Sequence, residues 1–535
     1  MNFKRKGIMI DCSRNAVRSV NAIKKFIDLM KQLEFNTLML YTEDTYEIDT
    51  QPYFGYLRGR YSKAELKEID TYCILNGIEL IPCIQTLAHL NGIVNWKIYE
   101  EITDCNDILL VDDDRTYSLI DDMLRNISET FSSKNIHIGM DEAWMLGLGK
   151  YLKRNGYTKP TVIMQKHLER VAFIAKKYGF KPMMWSDMFF RIVSDGYRVQ
   201  SPDEIDENIC NILPKNVTPV FWNYYSLEKS FYDVMMQAHK NFKKNFWFAG
   251  GLWTWTGFVP HNLYSIETSK VAIESCIDHE VENIFFTMWG DNGVESSLFS
   301  ILPSMYYVSQ LLKGISDDKK IKQGFRSFCG IEYDDFIQID IPEINYILEN
   351  KIKNVNPEKY MLYTDYFLGI FDSITDSSRN QIYKETAKKI EKLTSDKNYG
   401  YMFKNIQALL KVLAIKNDLG IRTRCAYQAK DKIELKSLIM DYENIEAELH
   451  NFYEAFKTLW YKENKPYGFE IHENRIGGLM LRTKSCRKRL EDYVNGVIVK
   501  IDELEEIILD PECDPDGQKR EISRNEWNKY FVNIM

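Results

Sequence analysis

No stretch of the 535-residue chain approaches the roughly 20 consecutive apolar residues needed to span a bilayer, so a transmembrane helix is not expected. The short run Gly7-Ile8-Met9-Ile10 is too brief for a signal-peptide core and is interrupted by Asp11. The ten cysteines, from Cys12 to Cys513, form no C-x-x-C pair, which argues against a zinc knuckle or a redox dithiol. With no export signal, they are expected to be reduced thiols of a cytoplasmic protein. Basic residues form no stripe: 69 Lys and Arg face 77 Asp and Glu for a net charge of -8, and nucleic acid is excluded as an expected partner. Internal repeats are not evident, and heptad continuity in the C-terminal part is poor, which disfavours a coiled coil. Length and aromatic side chains are what the sequence has in quantity. A chain of 535 residues exceeds one ordinary core, so at least two domains are expected. Its 33 Tyr, 28 Phe and 10 Trp exceed what packing alone needs.

Over residues 1–312 short apolar runs alternate with amphipathic segments, the pattern of parallel strands covered by helices. Eight strands are expected, at 7–12, 37–42, 78–84, 136–140, 181–186, 218–223, 246–254 and 283–289, a count that suits a (β/α)8 TIM barrel. Helical spacing is clear in 17–33, 161–178 and 297–312, and 193–216, with Pro202, Pro214 and a run of acids, is expected to be a long surface excursion. Over 313–535 strand signals fade, and Lys- and Glu-rich segments at helical spacing predict an all-α C-terminal domain, with long helices at 401–416, 430–457 and 482–509 and a break around Asn464–Gly468. These helices serve as scaffold, as a homodimer face or as a wall of the active site; the sequence leaves the three open.

In such a barrel the chemistry sits where the strands end. The fourth strand ends in His137-Ile138-Gly139-Met140-Asp141-Glu142, where simple alternation puts His137, Gly139 and Asp141 on one face and Glu142 just beyond. The neighbouring ends carry Asp11 to Arg14, Glu43-Asp44, Gln85 to His89, Trp185-Ser186-Asp187, Trp222-Asn223-Tyr224, Trp253-Thr254-Trp255 and Trp289-Gly290-Asp291. One tryptophan is ordinarily core filler; four at equivalent positions, rimmed by acids, suit a sugar ring, whose C–H faces stack on aromatics while its hydroxyls bond to carboxylates. Retaining glycosidases usually place two carboxylates about 5–5.5 Å apart on different strands. Here the acids are adjacent, and the end of the seventh strand holds none. A substrate that supplies its own nucleophile, an N-acetyl group beside the anomeric carbon, removes the need for the missing acid.

The stretch His137 to Glu142 resembles the His/Asn-x-Gly-x-Asp-Glu signature of glycoside hydrolase family 20, the β-N-acetylhexosaminidases, and Gly7 to Arg14 is similar to its Gly-x-x-x-Asp-x-x-Arg. The resemblance implies a retaining, exo-acting enzyme that removes terminal β-linked GlcNAc or GalNAc through an oxazolinium intermediate; no cofactor is expected, and no metal site is expected either, since further ligand histidines beside His137, Asp141 and Glu142 are not evident. It implies Glu142 as general acid and base, with a pKa raised by desolvation, and Asp141 as the group that orients the acetamide. Trp185, Trp222 and Trp289 would wall the acetamide pocket and Tyr224 would bond its oxygen. Trp253 would stack on a neighbouring ring, Asp291 would reach the outer hydroxyls, and His89 and Asp187 hold further positions. Two features depart from the family pattern: no small α/β domain precedes the first strand, and Lys6 stands where an Arg often grips the sugar, which makes acceptance of both sugar configurations expected. Two other readings stay open: an amino-sugar-binding barrel without catalysis, and a glycosidase with a separate nucleophile such as Glu43 or Glu295.

Overall fold

The computed structural model describes residues 3–343, apart from 192 and 195, and residues 356–509. The last 26 positions, with Cys513 and the end of the expected helical domain, lie outside the described residues. Eight parallel strands close into a barrel in sequential order, the first pairing with both the second and the eighth. They are Arg5–Asp11, Thr37–Tyr41, Glu79–Cys83, Asn135–His137, Lys181–Trp185, Thr218–Trp222, Trp247–Gly251 and Asn283–Met288. Register is set at the closing seam by Arg5 opposite Asn283 and Ile10 opposite Met288. Because parallel strands under helices are buried on both faces, their sequences read as continuous apolar runs. All eight expected strands are present.

The barrel interior is filled by residues two apart along each strand. Met39 and Tyr41, Ile81 and Cys83, Met183 and Trp185, and Trp247 and Ala249 meet Met9, Val220 and Phe285, with Trp222 and Trp289 packed on top. Outside, Val20–Gln32 begins with Ser19 accepting from the Ala22 N–H, and Lys63–Leu75 begins with a reciprocal capping box between Ser62 and Glu65. The excursion after the fifth strand carries two single-turn helices, Pro202–Glu204 and Glu207–Cys210. A two-stranded hairpin, Thr103–Cys105 with Ile108–Leu109, follows the third strand and has no signal in the sequence pattern.

The chain divides into two compact units. The first comprises Met1–Leu252, Ser265–Trp289 and Ser304–Ile321; the second comprises Trp253–Tyr264, Gly290–Pro303 and Lys322–Met535. The segments that follow the seventh and eighth strands thus group with the helices. Within the second unit, Glu463 accepts hydrogen bonds from Ser297 Oγ (2.5 Å), the Leu298 N–H (2.6 Å) and Tyr401 (2.9 Å). Lys359 and Glu295 form a fully buried ion pair at 2.6 Å.

Two expectations for this unit need correction. The helix expected at 482–509 is instead Phe469–Val494, started by Gly468 in a left-handed conformation. The weak heptad reading also fails. Lys432–Glu463 buries Leu435, Leu438, Tyr442, Ile445, Leu449, Phe452, Phe456 and Leu459, spaced alternately by three and four. Phe469–Val494 answers with Phe469, His472, Ile476, Leu479, Thr483, Cys486 and Leu490. This is a helical hairpin with a coiled-coil seam, disguised by the polar types Tyr442, His472 and Thr483. Arg487 clamps it at the edge by reaching Glu446 at 2.7 Å and Glu491 at 2.6 Å.

Candidate active site

Backbone strain gathers where the second, third and fourth strands end. Glu43, His89, Met140 and Glu142 all adopt positive φ (45°, 57°, 72° and 51°) although none is glycine. Such conformations cost about 1–3 kcal/mol each and persist where surroundings over-determine them, often at functional sites. They also correct the simple alternation expected for the fourth strand. Regular pairing stops at His137, although the Ile138 N–H still donates to Met183 and the Gly139 carbonyl accepts from Trp185. Consecutive left-handed residues Gly139 and Met140 then turn the chain, so Asp141 arrives by a turn rather than by strand periodicity.

Gly139 is required twice over. Its φ is +72°, and a Cβ there would lie 2.0 Å from Gln85 Oε1 and 2.9 Å from the Ile84 carbonyl. That closeness serves a link: Gln85 Oε1 accepts the Met140 N–H (3.0 Å), while its Nε2 donates to Asp141 Oδ1 (2.7 Å) and to the Tyr41 hydroxyl (2.8 Å). Gly139→Ala is expected to lower stability by about 1–3 kcal/mol. In a Gln85→Ala background part of that cost should disappear while the φ penalty remains, a coupling that a double-mutant cycle of thermal melts reads directly.

Around this turn stand five carboxylates and three cations of the barrel unit. Asp11 accepts from the Ser13 N–H and hydroxyl and lies 3.3 Å from Arg14, which also lies 3.3 Å from Glu43. His89 Nε2 lies 3.2 Å from Asp141 Oδ2 and 3.8 Å from Glu142 Oε2. Asp187 accepts the Glu142 N–H (3.1 Å) and Arg191 Nε (3.1 Å), and Arg191 also lies 3.6 Å from Glu142.

Burial sorts these groups. Desolvation, with the charge of Asp141 added, pushes Asp187 up to about 7 against Arg191 and the Glu142 N–H. Desolvation likewise pushes Glu43 up to about 7 against Arg14 and His89. Burial also works against a charged Asp141, but the charge of His89, 3.2 Å away, and the hydrogen bond from Gln85 outweigh it and hold that carboxyl below its ordinary range. His89 answers in kind: against burial, Asp141 and Glu43 raise it to about 10. Asp141 is therefore kept ionised while its buried neighbours are drawn toward neutrality. His137, driven down to about 3 by burial, is a neutral imidazole whose Nδ1 accepts the Gly139 N–H.

The aromatic candidates divide. Trp185 is buried, 4.4 Å from the His137 ring and 6.2 Å from Trp289. Trp289 meets Tyr41 edge-on at 4.8 Å and has the Arg14 guanidinium 5.8 Å from its ring centroid. Tyr224 stacks on Trp222 at 5.3 Å, and its hydroxyl is hydrogen-bonded with the Trp289 and Thr287 side chains. Two buried donors, Trp185 Nε1 and His137 Nε2, and one acceptor, Asp187 Oδ1, have no partner in the protein, a costly arrangement that fits a site built for a polar ligand. Trp253, in the second unit, is 0% exposed and stacked face to face on Trp255 at 4.3 Å, so that face is not open to a sugar. Asp291, in the same unit, is half-buried.

Lys6 is not at this end of the barrel at all. It is the second residue of the strand that Asp11 closes, roughly 16 Å away at 3.3 Å per residue, and its Nζ lies 3.9 Å from Glu34. The expectation that Lys6 governs sugar configuration is therefore wrong. Arg14 is the charged fork at the strand ends, and sequence reading placed it in a motif without giving it work. Gln85 and Tyr41 carry no role in the sequence pattern beyond their strand-end positions, and Arg191, which closes the short helix Asp187–Arg191, carries no signal at all. Among the described residues no group of three or more His, Cys, Asp or Glu side chains could hold a metal, and no helix is long and apolar enough to cross a membrane.

A closed β/α barrel with two adjacent carboxylates on a strained turn at the end of its fourth strand is the architecture these residues define. Residues 3–243 match the catalytic domain of glycosyl hydrolase family 20, and residues 334–523 match the Glycoside Hydrolase 20C C-terminal domain. The chain belongs to glycoside hydrolase family 20. It is similar to beta-hexosaminidase A of Caenorhabditis briggsae, 26% identical over 252 residues that make up 40% of this chain and 45% of that protein. It is also similar to hexosaminidase D of Homo sapiens, 24% identical over 345 residues, 59% of this chain and 68% of that protein. The match thus spans less than half the length of the nematode relative. Among solved structures, the Bacteroides fragilis β-N-acetylhexosaminidase aligns with a TM-score of 0.45 and 20% identity over 61% of this chain and 69% of that one. Flavobacterium johnsoniae chitobiase aligns with a TM-score of 0.47 and 14% identity over 85% and 78%.

Proposed function

We propose that the chain is an exo-acting, retaining β-N-acetylhexosaminidase that uses the acetamide of its substrate as the nucleophile. The observation that carries this reading is the treatment of Asp141: buried, ionised, held by Gln85 and His89, and adjacent to a Glu142 whose side chain is 36% exposed. A carboxylate has about four lone-pair sites, so Asp141 keeps acceptor capacity beyond Gln85 and His89 for an acetamide N–H. In the first step Glu142 gives its proton to the glycosidic oxygen, the C1–O bond breaks, and the acetamide oxygen bonds to C1. Asp141 stabilises the positive charge that develops on the acetamide nitrogen. In the second step water attacks C1, Glu142 takes its proton, and the five-membered ring opens to the free sugar with retained configuration. Arg14, in place of Lys6, is the fork offered to the sugar's hydroxyls.

A separate carboxylate nucleophile is poorly served. Glu43 is buried, accepts from Tyr41 at 3.1 Å and is pushed toward neutrality, and Glu295 is locked to Lys359. All described cysteines are free thiols, in keeping with a cytoplasmic location, which we include in the proposal.

Paired aryl β-glycosides of GlcNAc, GalNAc and glucose test the reading. Turnover of the two acetamido sugars is expected, with turnover of the glucoside lower by at least about 10³, the scale of a lost well-oriented intramolecular nucleophile. A thiazoline mimic of the cyclic intermediate should inhibit. Comparable hydrolysis of the glucoside would overturn the acetamide mechanism, and no turnover of any would favour the binding-only barrel.

A further inference from the structure

Resting on the hydrolase reading, we propose that the exposed ring of Trp144, backed by the Arg191 guanidinium, is the platform on which the leaving-group sugar of the substrate stacks. Trp144 is 59% exposed, unusual for a tryptophan, and follows Glu142 by two residues. Its N–H donates to the Glu142 carbonyl at 2.7 Å, which fixes the ring's starting point beside the group that must touch the glycosidic oxygen. The Arg191 guanidinium sits 3.5 Å from the ring centroid, so one face is occupied and held by a cation–π contact. Arg191 is itself anchored by Asp187 at 3.1 Å and stands 3.6 Å from Glu142. The ring is therefore not a loose surface side chain: it is clamped to the same cation that braces the proposed acid.

The chemistry says what belongs on such a ring. Glu142 protonates the oxygen joining the terminal sugar to the next residue, so whatever departs lies on the Glu142 side of the broken bond. A pyranose presents a flat array of C–H bonds that packs on an indole face, and Trp144 is the large aromatic nearest in sequence to that carboxyl. The neighbouring Met145 and Leu148, 40% and 45% exposed, add apolar surface on the same segment. Trp144 would thereby act as a specificity-determining residue for the leaving group, with no part in recognising the terminal sugar.

The test compares two substrates whose leaving groups differ in having a ring: a β-N-acetylhexosaminyl disaccharide, and the glycosyl fluoride of the same terminal sugar. In the full-length protein, Trp144→Ala is expected to lower kcat/KM on the disaccharide about tenfold or more, chiefly through KM, the scale of one lost buried apolar contact. On the fluoride the change should stay within about twofold, thiazoline affinity should be unchanged, and Trp144→Phe should recover most of the loss. Equal losses on both substrates would overturn the proposal by showing that Trp144 acts through Glu142, and no loss on the disaccharide would overturn it outright. A wild type inactive on both substrates would fell the hydrolase reading and this one with it. A change of oligomeric state in Trp144→Ala with no effect on the disaccharide would assign the patch to a protein interface instead.

Discussion

Glu142→Gln is expected to lower kcat on a disaccharide by about 10²–10⁴, the usual worth of a positioned general acid and base. The loss should depend on the leaving group in a way that a merely structural defect would not reproduce. A fluoride or dinitrophenolate departs without a proton, so the first step survives in the variant and the loss moves to the second step, where water needs a base. Azide, which needs no deprotonation, should then restore turnover on the activated substrate and leave the disaccharide rate low. The amide keeps the shape of the carboxyl, and the Glu142 N–H to Asp187 contact is a backbone one, so the variant should fold normally. A variant that loses the same factor on every substrate, with no azide rescue, would remove Glu142 from the proton-transfer role.

That this carboxyl is the one to test was legible from sequence, and the reasons are local. Strands buried on both faces leave continuous apolar runs, and six of the eight here reach a polar residue at the strand's end or within two positions of it, so the strand ends were where candidates for the site stood. What the pattern did not carry is how those ends meet. The link from Gln85 to Asp141 exists because Gly139 and Met140 leave the strand path, and left-handed backbone at Met140, Glu142, His89 and Glu43 has no signature in non-glycine residue types. The Lys6 expectation failed for a simpler reason: closeness to a motif in sequence says nothing when a strand of seven residues puts its two ends at opposite mouths of the barrel. In the second unit, the seam between Lys432–Glu463 and Phe469–Val494 was hidden because Tyr442, His472 and Thr483 occupy positions where a heptad scan expects aliphatics. Trp253, which looked like its neighbours at the strand ends, is spent on Trp255 instead.

Asp141→Asn separates charge from shape at the centre of the proposed mechanism. In that mechanism the carboxylate would face the acetamide nitrogen, on which positive charge grows in the transition state, and the amide could not stabilise that charge. A loss of about 10²–10³ in kcat is expected, the range found for removing one preorganised electrostatic group. Binding of the thiazoline should weaken by more than binding of the product sugar, because only the former resembles the cyclic intermediate.

The same substitution has a second readout that activity does not touch. His89 is raised to about 10 against the effect of burial, with Asp141 the largest raising cause. With that charge gone, burial prevails over what remains and the imidazole should titrate far lower, a movement that NMR of the His89 ring protons reports. Stability follows with a defined sign. The contribution from His89 is present in full below its ordinary value near 6.5 and is lost as pH rises toward about 10. The contribution from Asp141, whose carboxyl is held low, is present above the ordinary carboxylate range and is lost as pH falls below it. The pair therefore adds most between about pH 4 and 6.5. The difference in thermal midpoint between wild type and Asp141→Asn should be largest in that window and narrow on both sides. A difference that does not vary with pH, together with a His89 titration unchanged by the substitution, would show that the two side chains are not a charge pair, and the account of how Asp141 stays ionised in a buried site would fall.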